Sequence, residues 1–222
     1  MESKSELQQK EFGQAIKIII LGDSCSEKKS FLDKWDDTPF NEYYKSTIIT
    51  DFKIKTIENN GHLFQIILWD IPINSHNNNY FNKILLKDSQ GLICIIDATR
   101  PESIEDAVKW KSEIDNSIHF VDGGPLPCIL IENKIDLVIE NETKNDDYFR
   151  EHAKTHKFDN GFRVSSRKGI NVNESMDYLI KLIIQKIEDS VGWDKKYFLK
   201  TNKNIAIVKK KDNRNENNKC FK

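Results

Sequence analysis

Short apolar runs alternate with longer amphipathic ones along this chain, and that alternation limits its fold more than any other feature. Ala15–Leu21, Thr50–Ile57, His62–Trp69, Gly91–Asp97, Cys128–Ile131 and Gly161–Val164 are short, rich in Ile, Val or Phe, and bounded by polar or turn residues, as strands are. Asn59-Asn60-Gly61, between the second and third runs, is a hairpin signal. The second strand is therefore expected as an antiparallel edge on an otherwise parallel sheet. In Glu102–Ser117, after Pro101 at a natural helix start, Ile104, Ala107, Val108, Lys111 and Ile114 recur at helical spacing. Val172–Val191 carries a broad apolar face through Met176, Leu179, Ile180, Leu182, Ile183 and Ile187, and a shorter helix is expected over Asp146–His156. Strand–helix alternation of this kind builds a doubly wound α/β fold, here a six-stranded, mostly parallel sheet with helices on both faces.

Composition adds an asymmetry. The 222 residues carry 34 Lys and Arg against 35 Asp and Glu, for a net charge of −1. From Gly192 to Lys222, however, ten basic residues face three acidic ones, a net of +7 that leaves −8 on residues 1–191. The expected organisation is a flexible N-terminus over 1–14, one domain over 15–191, and a basic, Lys- and Asn-rich tail over 192–222 whose composition predicts disorder. No apolar run reaches the roughly 18–20 residues that span a bilayer. The start MESKSELQQKEFG lacks the apolar core of a secretory signal. Cys25, Cys94, Cys128 and Cys220 have no metal-type spacing, and Cys94 and Cys128 read as small core residues of a reduced protein.

The first strand runs into Gly22-Asp23-Ser24-Cys25-Ser26-Glu27-Lys28-Lys29-Ser30 and then a helix. This has the position and length of a P-loop, G-x-x-x-x-G-K-[ST]. Such a loop cradles phosphates on backbone N–H groups, sets a lysine on the β- and γ-phosphates and a hydroxyl on Mg²⁺. Gly22 and Lys28 are correctly spaced, but Glu27 replaces the second glycine and Lys29 the hydroxyl residue. By itself the segment is equally an ordinary strand–turn–helix corner. Downstream, Asn133-Lys134-Ile135-Asp136 closes the fifth strand in the form N-K-x-D, whose aspartate can accept from both N1–H and the exocyclic amine of guanine. Ser165-Ser166-Arg167 closes the sixth strand where an S-A-K loop would support the base, Ser46-Thr47 precedes the second, and Trp69-Asp70 ends the third where D-x-x-G begins.

With these residues in this order, the chain resembles the Rab branch of the Ras-like small GTPases over about residues 15–190. Tyr44, Lys45, Ser46, Thr47, Ile48, Ile49, Thr50, Asp51 and Phe52 look like the Rab effector region. Lys109-Trp110-Lys111-Ser112-Glu113-Ile114-Asp115, Gly124-Pro125-Leu126-Pro127, Trp69-Asp70-Ile71 and Gly169-Ile170-Asn171-Val172 are similar to Rab subfamily thirty-two/thirty-eight, a group of lysosome-related organelles, phagosomes and mitochondria.

The resemblance implies a P-loop small GTPase fold, GTP and GDP as ligands, and effector, exchange-factor and escort proteins as partners of a monomer. It implies that Asn133 and Asp136 read guanine, that Lys134 packs along it, that Ser165, Ser166 and Arg167 support it, and that Phe40 stacks on it. Lys28 would bind phosphate within the loop Gly22–Ser30, and Thr47 and Asp70 would act through Mg²⁺.

Departures from the family pattern cluster on the phosphate side. A glycine is kept at the position of Glu27 because the backbone must approach the phosphates closely. An ammonium at Lys29 cannot ligate Mg²⁺ but can stand in for part of its charge; Ser30 supplies a hydroxyl only if the loop shifts by one residue. Asp70-Ile71-Pro72-Ile73-Asn74-Ser75 replaces D-x-A-G-Q-E, so that Asn74 stands where a glutamine orients the attacking water. The expectation is weakened nucleotide binding, slow or absent hydrolysis and an uncertain place for Mg²⁺.

Cys220, third from the end, fits neither a C-a-a-X box nor a double cysteine, yet stands where the family is prenylated. One lipid chain anchors marginally, and Lys209-Lys210-Lys211 with the other tail lysines would add attraction to an anionic leaflet. The resemblance implies a lipid-anchored place on the cytoplasmic face of endosomal, lysosomal, phagosomal or other endomembranes. His152 and His156, four apart on a helix, read as a solvated face rather than a metal clasp. Trp35, Trp110 and Trp193 are candidates for interaction, with Trp110 read as packing. The tail lacks the interleaved aromatics that would point to nucleic acid.

Overall fold

The computed structural model describes residues 14–37, 51–71, 83–139 and 145–192. Its strands are β1 (Gln14–Gly22), β2 (Asp51–Asn59), β3 (His62–Asp70), β4 (Gly91–Asp97), β5 (Cys128–Asn133) and β6 (Asn160–Val164). The helices are α1 (Lys28–Trp35), α2 (Lys83–Leu86), α3 (Ser103–Ser117), α4 (Asp146–Thr155) and α5 (Val172–Val191), with a 3-10 turn over Ile135–Leu137. The six strands form one sheet in the order β2-β3-β1-β4-β5-β6. β2 pairs antiparallel with β3, through a turn in which Asn60 and Gly61 both take positive φ, and the other pairs are parallel. The hairpin and the edge position of β2 are as the sequence indicates. Several strands run one or two residues further than the apolar runs, because the ladder continues through Gly22, Asp70 and Asn133 after the hydrophobic pattern stops.

Side-chain alternation along β4 separates the helical layers. A Cβ on Gly91 would lie 2.5 Å from Ile183, so that face of β4 meets α5, which also packs against α1. One residue on, Leu92, Cys94 and Ile96 point the other way, and Ile96 lines a hollow with Ile104 of α3 and Phe149 of α4. Both faces of β4 are buried throughout, as expected for a central parallel strand. Cys94 and Cys128 lie in this core as free thiols. Trp110 is buried, as expected of a packing residue. Trp35 is buried too, at 3% exposure, so it serves the core rather than an interaction surface; Lys55 covers its ring at 5.0 Å. No helix among the described residues is long and apolar enough to cross a membrane.

In this strand order the chain leaves β1 toward one side of the sheet and returns to the other. Ligand crevices of open α/β sheets lie at such a switch point, outside the carboxyl ends of the strands. Gly22, Asp70, Asp97 and Asn133 terminate four strands on that edge, and Ser165 follows a fifth.

Candidate functional site

At the carboxyl edge the described residues fall into two groups. Asn133 is the centre of the first and is fully buried. Its Nδ2 donates to the Ser26 carbonyl at 3.0 Å, and its Oδ1 accepts from Ser166 N and Ser166 Oγ, each at 3.0 Å. One side chain therefore ties the β1–α1 loop to β5 and to the segment after β6. Ser165 Oγ donates to Asp136 Oδ1 at 2.7 Å and accepts from Lys168 N at 3.1 Å, which fixes the carboxylate. Lys134 takes a left-handed backbone at φ 68°, and its ammonium donates to Asp97 Oδ2 at 2.6 Å. Burial works to raise the Asp97 carboxyl, but hydrogen bonds from Lys134 and Thr99 outweigh it and hold Asp97 below the usual carboxylate range. Asp97 was absent from the candidates. It stands at the end of β4, on the same edge as the other motifs, but no residue pattern near it marks the contact.

The second group is the loop Gly22–Ser30. Gly22 is required by close approach: a Cβ there would lie 2.5 Å from the Ile95 carbonyl and 2.7 Å from Ser26 Oγ. Past it the chain makes a tight turn, Ser26 N and Oγ both donating to the Asp23 carbonyl. Cys25 and Glu27 take left-handed conformations at φ 67° and 62°. For residues with a Cβ this costs roughly 1–2 kcal/mol each. Glu27 then accepts the first helical hydrogen bond of α1, from Phe31 N at 3.0 Å. Burial raises the Glu27 carboxyl, with Asp136 and Asp97 adding to the shift and Lys134 and Arg167 opposing it.

Lys28 turns back over the loop and donates to the carbonyls of Gly22 at 2.6 Å and Asp23 at 3.0 Å. Burial lowers its pKa, against the carboxylates of Asp70 and Asp23. Asp70 is buried at the end of β3. Arg100, a second residue missed from sequence, reaches Asp23 at 3.4 Å and Glu102 at 3.2 Å. Ser24, Cys25 and Lys29 are exposed.

The structure thus gathers Gly22–Ser30, Asp70, Asn133, Lys134, Asp136 and Ser165–Arg167 on one edge. Phe40, Tyr44–Thr50, Asn74 and Cys220 lie outside the described residues, as does the side chain of Asp51, while Phe52 stacks on Trp69 with ring centroids 5.9 Å apart. His152 on α4 and His156 at its C-terminal cap sit ring to ring at 4.9 Å. No group of three or more His, Cys, Asp or Glu among the described residues is disposed to hold a metal ion.

Comparison with known proteins agrees with this geometry. The family model described as Ras family matches residues 17–185. Ras-related protein Rab-32 of Sus scrofa is 27% identical over 169 residues, covering 76% of this chain and 74% of its own. Ras-related protein Rab-32C of Dictyostelium discoideum is 28% identical over 182 residues, covering 81% and 79%. Ras-related protein Rab-7L1 of Mus musculus is 24% identical over 176 residues, covering 79% and 85%. The chain belongs to the Ras family, as a Rab-like small GTPase related to the Rab-32 subfamily, a family of guanine-nucleotide-binding proteins.

Proposed function

We propose that this protein is a guanine-nucleotide-dependent switch of endosomal, lysosome-related or phagosomal membranes, with impaired hydrolysis. The observation that carries the reading is Asn133, whose buried side chain joins three motif segments at the edge where the family holds its nucleotide. In this reading Asp136, fixed by Ser165, accepts from N1–H and the exocyclic amine of guanine, which adenine does not offer. Lys134 packs along the base, Ser166 and Arg167 support it, and Phe40 stacks on it. Lys28 leaves the Gly22 and Asp23 carbonyls to meet phosphate.

Divalent metal fits poorly. In the P-loop pattern a Ser or Thr hydroxyl after the lysine ligates Mg²⁺, and here that residue is Lys29, whose ammonium repels a cation. Asp70 and Thr47 are the remaining candidates for its surroundings. In this class of enzyme a glutamine orients the attacking water, and Asn74, one methylene shorter, would hold it poorly. Hydrolysis is accordingly slow or absent. The test is single-turnover hydrolysis of GTP by the purified protein with Mg²⁺; turnover at the rate of an ordinary Rab would sink the impairment.

A second reading follows from the left-handed Glu27. A carboxylate at the neck of the phosphate loop suits a module that keeps the fold and the effector surface over Tyr44–Phe52 and no longer cycles. Assaying guanine nucleotide released on denaturation separates the two: bound GTP or GDP supports the switch, and none supports the module.

The domain would extend over 15–191 and act as a monomer, with effector, exchange-factor and escort proteins as partners. The basic tail over 192–222 would hold it on an anionic leaflet together with a prenyl group on Cys220. Cys220→Ser should release the protein from membranes on fractionation, and unchanged association would refute the anchor.

A further inference from the structure

The base half of the site is tied together by its own side chains, while the phosphate half departs from the pattern the family's ligand requires. Asn133, Asp136, Ser165 and Ser166 are joined by four hydrogen bonds to one another and to the loop, all between 2.7 and 3.0 Å. Nothing in that group has to move for Asp136 to present its second oxygen. In the loop, the cationic group that should meet phosphate is already held by two carbonyls. Glu27 heads α1 in a left-handed conformation directly after Ser26, whose carbonyl Asn133 holds, so this carboxylate-bearing residue stands where the loop meets the base half. Each added phosphate brings negative charge toward Glu27 and Asp23, and the residue that would recruit a compensating divalent cation is Lys29.

Resting on the guanine-nucleotide reading above, we infer that this site binds guanine nucleotides without a divalent cation and holds GMP and GDP at least as tightly as GTP. Lys29 puts an exposed cation at the loop position where the family pattern has the hydroxyl that ligates the metal. Recognition shifts from the γ-phosphate to the nucleoside, and occupancy follows total guanine nucleotide rather than its triphosphate fraction.

Calorimetric titration of the full-length protein, stripped of nucleotide, with GMP, GDP and GTP in the presence of Mg²⁺ or of a chelator tests this. The expected result is a change in each Kd of less than about threefold on adding Mg²⁺, with GTP no tighter than GDP. Tightening of GTP by Mg²⁺ of about tenfold or more, or clear preference for GTP, overturns the inference and leaves the nucleotide reading standing. Absence of binding by all three overturns both. The double substitution Glu27→Gly with Lys29→Thr should create a Mg²⁺ response of about tenfold or more for GTP. A double variant as indifferent to Mg²⁺ as the parent would show that these two residues are not the cause.

Discussion

The two halves of the site share one sheet edge and differ in how their polar groups are satisfied. The base half is a closed network: a buried asparagine spends both ends of its amide on backbone and hydroxyl partners from two other segments. Such networks are rigid because every broken bond leaves a buried group without a partner. The phosphate half is held by local turns, by two left-handed residues with side chains, and by a lysine bonded to its own loop. These contacts form within nine residues of sequence and demand little of the rest of the fold. A changed residue in the loop therefore disturbs little beyond the loop, whereas the network also stitches β1, β5 and β6 together.

If that contrast holds, the largest effect comes from breaking the network. Asn133→Ala removes one donor and one doubly used acceptor from a fully buried position. At about 1–3 kcal/mol for each buried partner left unmade, urea denaturation should show a loss of about 4 kcal/mol together with loss of guanine binding. A loss under 1 kcal/mol would mean that the edge is held by the sheet alone.

The opposite end of β1 offers a comparison for Lys28. Lys17, 6% exposed, donates to the Leu85 and Lys87 carbonyls at the end of α2 and lies 4.7 Å from the Trp69 ring. Burial, partly opposed by Asp88, lowers its pKa from 10.5 to about 8. Between those values the unfolded chain keeps a proton that the folded chain has released. Stability is gained as pH rises through that window and lost again as pH falls through 8. The difference between wild type and Lys17→Met should change by about 3 kcal/mol from pH 8 to 10.5. A difference independent of pH would show that Lys17 is solvated. Ser165→Ala, which loses the bonds to Asp136 and from Lys168, should cost about 1.5 kcal/mol and weaken discrimination of guanosine from inosine nucleotides, since Asp136 would no longer be fixed.

Most of the fold was legible because burial on both faces leaves continuous apolar runs, and runs of that length between helical stripes admit few topologies. The base half was legible for a different reason: Asn133, Lys134 and Asp136 lie within four positions of one another, so their placement is written in local order. The contact of Lys134 with Asp97 was not, since it joins the ends of two strands 37 residues apart. Lys17 was equally hidden, because a single lysine in the apolar run Ala15–Leu21 gives no sign of its partners until α2 is placed beside it. The four residues of α2 are too few to show a period. Sequence showed that Glu27 and Lys29 depart from the pattern but not that Lys28 would close on its own loop, which depends on the distance between its ammonium and carbonyls six and five residues back.

The smallest predicted effect separates strain from charge at Glu27. Its raised carboxyl pKa, caused first by burial and then by Asp136 and Asp97, means that its protonated form favours the folded state. That contribution is present below the unfolded value of 4.5 and is lost as pH rises through the higher folded value, so at neutral pH the ionised group works against folding. Glu27→Gln removes the charge and keeps the left-handed backbone at φ 62°. Glu27→Gly removes the charge and keeps that backbone without its steric cost, relieving roughly 1–2 kcal/mol while glycine's freedom in the unfolded chain takes back about 0.5–1 kcal/mol. The glycine variant should therefore exceed the glutamine variant in stability by about 0.5 kcal/mol, read as a small rise in the urea midpoint at unchanged slope. Equal midpoints would place the penalty in the carboxylate alone. In that case the loop would tolerate any neutral side chain at this position, and the phosphate half would be altered by its charge rather than by its shape.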